Sequence, residues 1–139
     1  MKVPSSLKSV ALLLTVIAVV SYASACAQQG GIPSSTVTQM RDAIAKKGPG
    51  KVIVLDVRTA PELTSELGKL DGIVHIPLSE LSSRVNELAK YKSSEIHVIC
   101  RSGNRSVAAT QILRQKGYTA FNVQGGMLSW RSTFGSVNK

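Results

Sequence analysis

The loop 100–106, with the sequence Cys-Arg-Ser-Gly-Asn-Arg-Ser, combines a nucleophile with two cations. The thiolate is the reactive form of cysteine, and a free thiol has a pKa of about 8.5. Arg101 and Arg105 flank Cys100 and favour the charged form of its sulfur. A polar loop with a glycine, placed between a strand and a helix, also directs backbone N–H groups at one point. We therefore predict that Cys100 is a nucleophile held as a thiolate.

The elements on either side of this loop can be predicted from residue type. Residues 96–99, Ile-His-Val-Ile, form a short run rich in β-branched residues, which is typical of a buried strand. Residues 106–116 are mostly good helix formers, and Gly117 follows where a helix should stop. Ser106 is expected to cap this helix.

A second polar group, Asp56 and Arg58, follows the continuous apolar run 52–55. Such a run predicts a strand covered on both faces. Ligands in open α/β sheets bind at the carboxyl ends of strands, so this group should share a cleft with Cys100. Arg58 is a candidate substrate-binding residue. Its alternative role is structural, through a salt bridge with Glu62 or a hydrogen bond to a loop carbonyl. Asp56 is expected to support the loop structure.

Strands alternate with helices along the rest of the chain. This order predicts a three-layer α/β/α fold with a central, mostly parallel sheet of about five strands and helices on both faces. The expected helices are 36–47, one turn within 61–67, 79–90, 106–116 and a short last helix around 127–130, and the expected strands are a short one within 28–34, then 52–55, 73–76, 96–99 and 120–123.

Residues 1–27 have the layout of a secretory signal peptide. Two lysines precede the apolar run 10–20, and small residues lead to Ala25-Cys26-Ala27. We expect cleavage and export to a periplasm or the medium. One alternative is a lipoprotein signal that leaves Cys26 lipidated and the protein attached to a membrane. The other is an uncleaved anchor, although the run is shorter than the roughly 20 residues of a spanning helix.

The remaining organisation follows from length and charge. We expect a linker at 28–34 that leads into one domain over 32–134, with a tail at 135–139. The formal net charge of +9 comes from scattered basic residues among few aromatics, which argues against nucleic-acid binding. The two cysteines form no disulfide framework, and cleavage would leave Cys100 as the only thiol. Neither histidine has metal-ligand spacing.

Several segments then resemble one family. Residues 56–59, Asp-Val-Arg-Thr, resemble the D-V-R segment of single-domain rhodaneses, and 100–106 resembles their active-site loop. Residues 117–118 and 125–130 resemble the C-terminal signature of the same family. Residues 68–73, Gly-Lys-Leu-Asp-Gly-Ile, depart from the family's G-H-I-P-G-A segment, because the histidine and the proline are replaced.

This resemblance implies a sulfurtransferase of the exported type. Sulfane sulfur would pass from thiosulfate through a persulfide on Cys100 to cyanide or a thiol acceptor, without a metal or another cofactor. The expected substrate-binding residues are those of the active-site loop together with Arg58: Arg101, Ser102, Gly103, Asn104, Arg105 and Ser106. We expect a monomer or a weak dimer.

Two other functions are compatible with such a sequence. One is a non-catalytic rhodanese-like module that binds a partner or carries sulfur, although modules of that kind often lack the cysteine. The other is a phosphatase or an arsenate-reductase-like enzyme. Phosphatases of the same fold place one more residue between the cysteine and the arginine than the four found between Cys100 and Arg105. The shorter loop favours sulfur transfer.

Overall fold

The computed structural model describes residues 31–137, and within them five strands form one parallel sheet. The strands are β1 (Ser34–Ser35), β2 (Val52–Asp56), β3 (Val74–His75), β4 (Glu95–Ile99) and β5 (Thr119–Val123). Their order in the sheet is β1-β5-β4-β2-β3. The helices are α1 (Val37–Lys47), α2 (Ala60–Leu63), α3 (Leu78–Arg84), a 3₁₀ helix (Val85–Tyr91), α4 (Asn104–Gln115) and α5 (Gly126–Phe134). The predicted α/β fold with a parallel central sheet is confirmed.

Each face of the sheet carries its own apolar core. Successive strand residues point to opposite faces, so Leu55 packs in one cluster and its neighbour Val54 in the other. The first cluster joins the sheet to α3, the 3₁₀ helix and α4, and the second joins it to α1 and α5. Residues 32–137 therefore form a three-layer sandwich, and the carboxyl ends of β2 and β4 lie side by side in the middle of the sheet.

The predicted helix 79–90 is divided into two parts. Helix α3 begins at Leu78 after Pro77, and the 3₁₀ helix takes over at Val85. A 3₁₀ helix has three residues per turn, which keeps Val85 and Leu88 on the same side. Both side chains are buried in the first cluster. The predicted apolar stripe is therefore present, although only part of it is α-helical.

The helix after the cysteine loop begins two residues earlier than predicted. Its N-cap is Gly103, with φ 98°, and its first residue is Asn104. The prediction that Ser106 caps the helix is wrong, because Ser106 already lies in the first turn. Its hydroxyl instead lies 3.0 Å from the Gly103 carbonyl oxygen. Only glycine adopts this φ easily, so the chain can enter the helix directly from the loop.

The predicted signal peptide and Cys26 lie outside the described residues, so the structure does not bear on them. Among residues 31–137, no helix has the length and apolar composition needed to cross a membrane.

Candidate active site

The first turn of α5 sets the direction of the loop that follows β4. The Met127 N–H donates to the Cys100 carbonyl at 2.8 Å, and the Leu128 N–H donates to the Arg101 carbonyl at 3.0 Å. The C=O and N–H groups of a trans peptide point in opposite directions. The two peptide N–H groups that follow these carbonyls therefore point away from α5 and into the loop.

This contact requires a glycine at the start of α5. A Cβ on Gly126 would lie 2.3 Å from the Cys100 carbonyl oxygen and 2.8 Å from the Arg101 carbonyl carbon. Neither atom can move without opening the loop, because both belong to the backbone. The Gly-Gly pair of the sequence thus lets the helix end approach the loop backbone directly.

The Cys100 side chain lies at the bottom of the loop, with 1% of the residue exposed. The Gly103 N–H donates to its sulfur at 3.2 Å, and the Ser106 hydroxyl oxygen lies 3.4 Å from the same atom. The thiol is therefore surrounded by polar hydrogens while it remains shielded from solvent.

The pKa of Cys100 is lower than that of an ordinary thiol. Burial raises this pKa, but hydrogen bonds from the side chain and the backbone N–H of Ser106 lower it. The N–H groups of Gly103 and Ser102 lower it further. Together these hydrogen bonds outweigh the burial. The loop thus stabilises the thiolate through donors at short range. Of the two causes expected from the sequence, the loop N–H groups and the two arginines, the N–H groups are the ones that lower the pKa of Cys100.

Asn122 also lies at this site, although it was not among the predicted site residues. Its side-chain oxygen lies 2.7 Å from the Ser106 hydroxyl, and the residue is 5% exposed. The Ser106 hydroxyl has a single proton, so the Asn122 oxygen and the Gly103 carbonyl compete for it with the Cys100 sulfur. The only available signal was a polar residue near the end of the apolar strand β5.

The two loop arginines differ in their surroundings. Arg101 is exposed and forms no ion pair with another residue in the described range 31–137. Arg105 donates to both carboxylate oxygens of Glu62, at 2.7 and 2.6 Å. The hydrogen bonds from Arg105 lower the pKa of Glu62 to about 2. Arg105 is therefore partly neutralised and held at the edge of the site.

Arg58 lies under the site and does not reach the loop. It is fully buried, and its guanidinium donates to both carboxylate oxygens of Asp56 at 2.7 to 3.0 Å. It also donates to the carbonyls of Gly68, at 2.8 Å, and of Glu62, at 3.3 Å. Arg58 thus supports the α2 turn that carries Glu62, and Asp56 fixes Arg58. Its ion pair is therefore with Asp56 and not with the expected Glu62, whereas the expected contact with a loop carbonyl is present at Gly68.

The other predicted loop residues line the rim and the floor. Ser102 and Asn104 are exposed, whereas Gly103 is buried. The segment 68–73, whose sequence differs from the G-H-I-P-G-A pattern, still provides the Gly68 carbonyl that accepts from Arg58. His75 Nε2 lies 2.8 Å from the Arg58 carbonyl oxygen, and His97 Nδ1 lies 2.9 Å from the Ser35 hydroxyl. No group of metal-ligating side chains occurs in the described part of the chain.

Residues 36–133 match the family of the rhodanese-like domain. The chain belongs to the rhodanese-like family. This family includes sulfurtransferases and sulfur carriers, and a buried low-pKa cysteine in a loop of N–H donors suits both.

Individual relatives cover the rhodanese-like domain to different extents. YrkF of Bacillus subtilis, provisionally named a sulfur carrier protein, is 41% identical over 78 residues, which is 55% of this chain but 40% of YrkF. The chain therefore spans less than half the length of that relative. Human thiosulfate:glutathione sulfurtransferase is 29% identical over 72% of this chain and 94% of its own length.

A solved structure gives the same result for the fold. The crystal structure of a rhodanese-related protein from Thermoplasma volcanium superimposes with a TM-score of 0.64 at 32% identity, over 73% of this chain and 93% of that chain.

Replacing Ser106 should weaken the nucleophile of this rhodanese-like domain. In Ser106→Ala the sulfur loses a donor, so the pKa of Cys100 should rise and less thiolate should be present near neutral pH. Alkylation of the thiol by iodoacetamide at neutral pH should slow by about tenfold, as expected for a hydrogen bond to a charged group. The midpoint of the curve of alkylation rate against pH should move to a higher pH.

Thr110→Ala is the matched control, because Thr110 lies one turn further along α4 and its buried hydroxyl makes no hydrogen bond. An unchanged pH profile in Ser106→Ala would contradict this assignment.

Replacing Gly126 should open the loop. The Cβ of Gly126→Ala would collide with the loop backbone, so we expect a loss of about 2 kcal/mol or more in the free energy of unfolding and slow alkylation of Cys100. Gly135→Ala is the control, because Gly135 also has a positive φ, of 87°, but has no atom within 4 Å of the added Cβ. Denaturant unfolding of both variants tests this, and equal losses would show that backbone strain alone is responsible.

Proposed function

We propose that this domain is a thiosulfate sulfurtransferase that transfers sulfane sulfur to cyanide or to a thiol through a persulfide on Cys100. The observation that carries this proposal is the placement of the sulfur. Cys100 lies at the centre of a loop whose N–H groups and Ser106 hydroxyl lower its pKa. Such donors stabilise an anionic sulfur, whether it is the thiolate or the terminal sulfur of a persulfide.

In the first half-reaction the Cys100 thiolate attacks the outer sulfur of thiosulfate. A bond forms between the two sulfurs, the bond to the sulfonate sulfur breaks, and sulfite leaves with the electron pair. Arg101 is exposed at the rim and attracts the dianion. Arg105 and the loop N–H groups offset the negative charge that grows on the departing sulfite.

In the second half-reaction a nucleophilic acceptor attacks the terminal sulfur of the persulfide. The bond between the two sulfurs breaks, and its electron pair returns to Cys100 as a thiolate. With cyanide the product is thiocyanate, and with a thiolate it is a persulfide. The residues that stabilised the thiolate at the start stabilise it again as the leaving group, so the same loop serves both steps.

A sulfur carrier is the second candidate function. The similarity to YrkF favours it, because that relative is provisionally named a sulfur carrier protein. The chemistry at Cys100 would be the same, but the persulfide would pass to a partner protein. The loop suits both a small-molecule acceptor and a partner protein. Turnover with cyanide or a small thiol would favour the enzyme, and its absence would favour the carrier.

Export is the proposal for residues 1–27, supported by their sequence alone. An exported protein with one remaining thiol has no internal partner with which to form a disulfide. A resting persulfide on Cys100 would then be compatible with an oxidising compartment. We propose that the mature protein is periplasmic or secreted, and a monomer or weak dimer.

Sulfur transfer should depend entirely on Cys100. The wild-type protein should release sulfite from thiosulfate and form thiocyanate with cyanide, whereas Cys100→Ser should do neither while it remains folded, because a serine hydroxyl is a poor nucleophile at this pH. Intact mass spectrometry of protein from its native host should show one added sulfur atom on Cys100, and it also reports cleavage or lipidation. Thiosulfate turnover by Cys100→Ser would refute the mechanism.

The change in kcat/KM for thiosulfate caused by Glu62→Gln should have opposite signs in the presence and in the absence of the Arg105 side chain. Arg105→Ala should lower kcat/KM for thiosulfate by about 30-fold or more, on the scale of a lost oxyanion donor. Glu62→Gln alone should lower it by only about threefold, because Arg105 keeps its charge but loses a bidentate partner. In the Arg105→Ala background, Glu62→Gln should instead raise kcat/KM, since it removes an unpaired carboxylate near an anionic substrate. Steady-state kinetics of the four proteins test this. A further loss in the double variant would show that Glu62 acts independently of Arg105.

A further inference from the structure

A cavity of about 290 Å³ opens beside the catalytic loop. It is lined by Val57, Thr59, Pro77, Leu78, Ser79 and Arg105. Val57 is buried in the same apolar cluster as Cys100, and Leu78 packs against that cluster. Arg105 belongs both to the cavity wall and to the loop. The cavity therefore borders the loop that carries Cys100, through Arg105, and is formed by elements that meet at the carboxyl edge of the sheet.

The size and the walls of this cavity do not match an inorganic anion. A water molecule occupies about 30 Å³ in the liquid, so a volume of about 290 Å³ accommodates many more atoms than thiosulfate or cyanide contains. Three of the lining side chains, Val57, Pro77 and Leu78, are apolar. Apolar walls favour carbon over charge, because each buried CH₂ group leaves water.

Arg105 contributes the one cationic side chain that lines the cavity. Its ion pair with Glu62 uses one N–H on each terminal nitrogen. A guanidinium has five N–H donors, so Arg105 retains donors for a ligand while Glu62 holds it in place. Because Glu62 offsets the charge of Arg105, the cavity is suited to a ligand with one anionic group better than to a dianion.

We propose that this cavity is the acceptor subsite, and that the acceptor it takes is an organic thiol with an apolar carbon chain and one carboxylate. The carbon chain lies along Val57, Pro77 and Leu78, and the carboxylate accepts from Arg105. This inference rests on the proposed sulfur transfer through Cys100, and it assigns the second substrate of that reaction to a chemical class.

The transfer balances without any further reactant. The thiolate of the acceptor attacks the terminal sulfur of the Cys100 persulfide, and a new bond forms between these two sulfurs. The bond from that sulfur to Cys100 Sγ breaks, and its electron pair stays on Sγ. The sulfur atom moves without a net change in oxidation, and the proton of the persulfide leaves with the product.

The first test uses the wild-type protein and a series of acceptors. The protein is first loaded with sulfur from thiosulfate. The acceptors are three acids with a terminal thiol, mercaptoacetate, mercaptobutyrate and mercaptohexanoate, and their uncharged amides. If the chain enters the cavity, kcat/KM should rise by about two- to fourfold for each added methylene group. The carboxylates should exceed the amides by about threefold or more, as expected for one partly exposed ion pair.

The second test fills the cavity. Ser79 lines it and is exposed in the first turn of α3, so Ser79→Phe places a ring in the space for the carbon chain. The ratio of kcat/KM for mercaptohexanoate to that for cyanide should fall by about tenfold, corresponding to about 1.4 kcal/mol. Ser82→Phe is the matched control, because Ser82 is exposed on the same helix and does not line the cavity. It should leave the ratio at the wild-type value.

The outcomes separate the subsite from the function. Sulfite release and thiocyanate formation together with a flat response across the thiol series would overturn the acceptor subsite and leave sulfur transfer intact. The subsite is also overturned if chain length accelerates sulfur donation from organic persulfides but has no effect on acceptors. Absence of sulfite release with every acceptor would instead overturn the proposed function itself.

Discussion

The active site depends on the capture of two loop carbonyls by the first turn of α5. Met127 and Leu128 donate to the carbonyls of Cys100 and Arg101. An α-helix leaves its first four N–H groups without an internal partner, and here two of them find one in the loop. The capture turns the Ser102 N–H toward the sulfur, beside the N–H groups of Gly103 and Ser106. These donors and the Ser106 hydroxyl together lower the pKa of Cys100.

A buried ion pair supports the other side of the cleft. Removing a guanidinium from water is costly unless its donors are satisfied, and Arg58 is fully buried. Asp56, Gly68 and the carbonyl of Glu62 satisfy most of these donors. The contact with the Glu62 carbonyl connects Arg58 to the α2 turn, whose carboxylate holds Arg105. Arg58 thus supports the position of Arg105 through the backbone of α2.

Local sequence was sufficient to predict most of the elements and the loop that holds Cys100 between β4 and α4. The apolar runs before Asp56 and Cys100, and the helical periodicity around them, depend on short-range preferences that tertiary structure did not override. The helix after the loop started earlier than predicted, because the positive φ of Gly103 replaced a polar cap. The 3₁₀ helix was also unpredictable, since its apolar spacing is compatible with both helix types.

The polar partners of the site were less accessible to prediction from sequence. Glu62 and Arg105 are 43 positions apart, and Ser106 and Asn122 are 16 apart. Such pairs are brought together only by the order of strands in the sheet. Glu62 was the expected salt-bridge partner of Arg58, but in the structure Asp56 pairs with Arg58. The carboxylate of Glu62, in α2, is then available to Arg105.

Because of this pairing, the net charge of the chain is a poor guide to the charge at the loop. The formal charge of +9 attracts any anion from a distance, but salt screens that attraction over about 8 Å at physiological ionic strength. At the loop, Arg101 remains exposed whereas Glu62 offsets the charge of Arg105. Discrimination must therefore come from groups that act at contact distance. In the proposed reaction, the loop N–H groups would bind the anionic sulfur, and the apolar wall formed by Val57, Pro77 and Leu78 would bind the carbon chain of the acceptor. Donor and acceptor would then be recognised by different parts of one cleft.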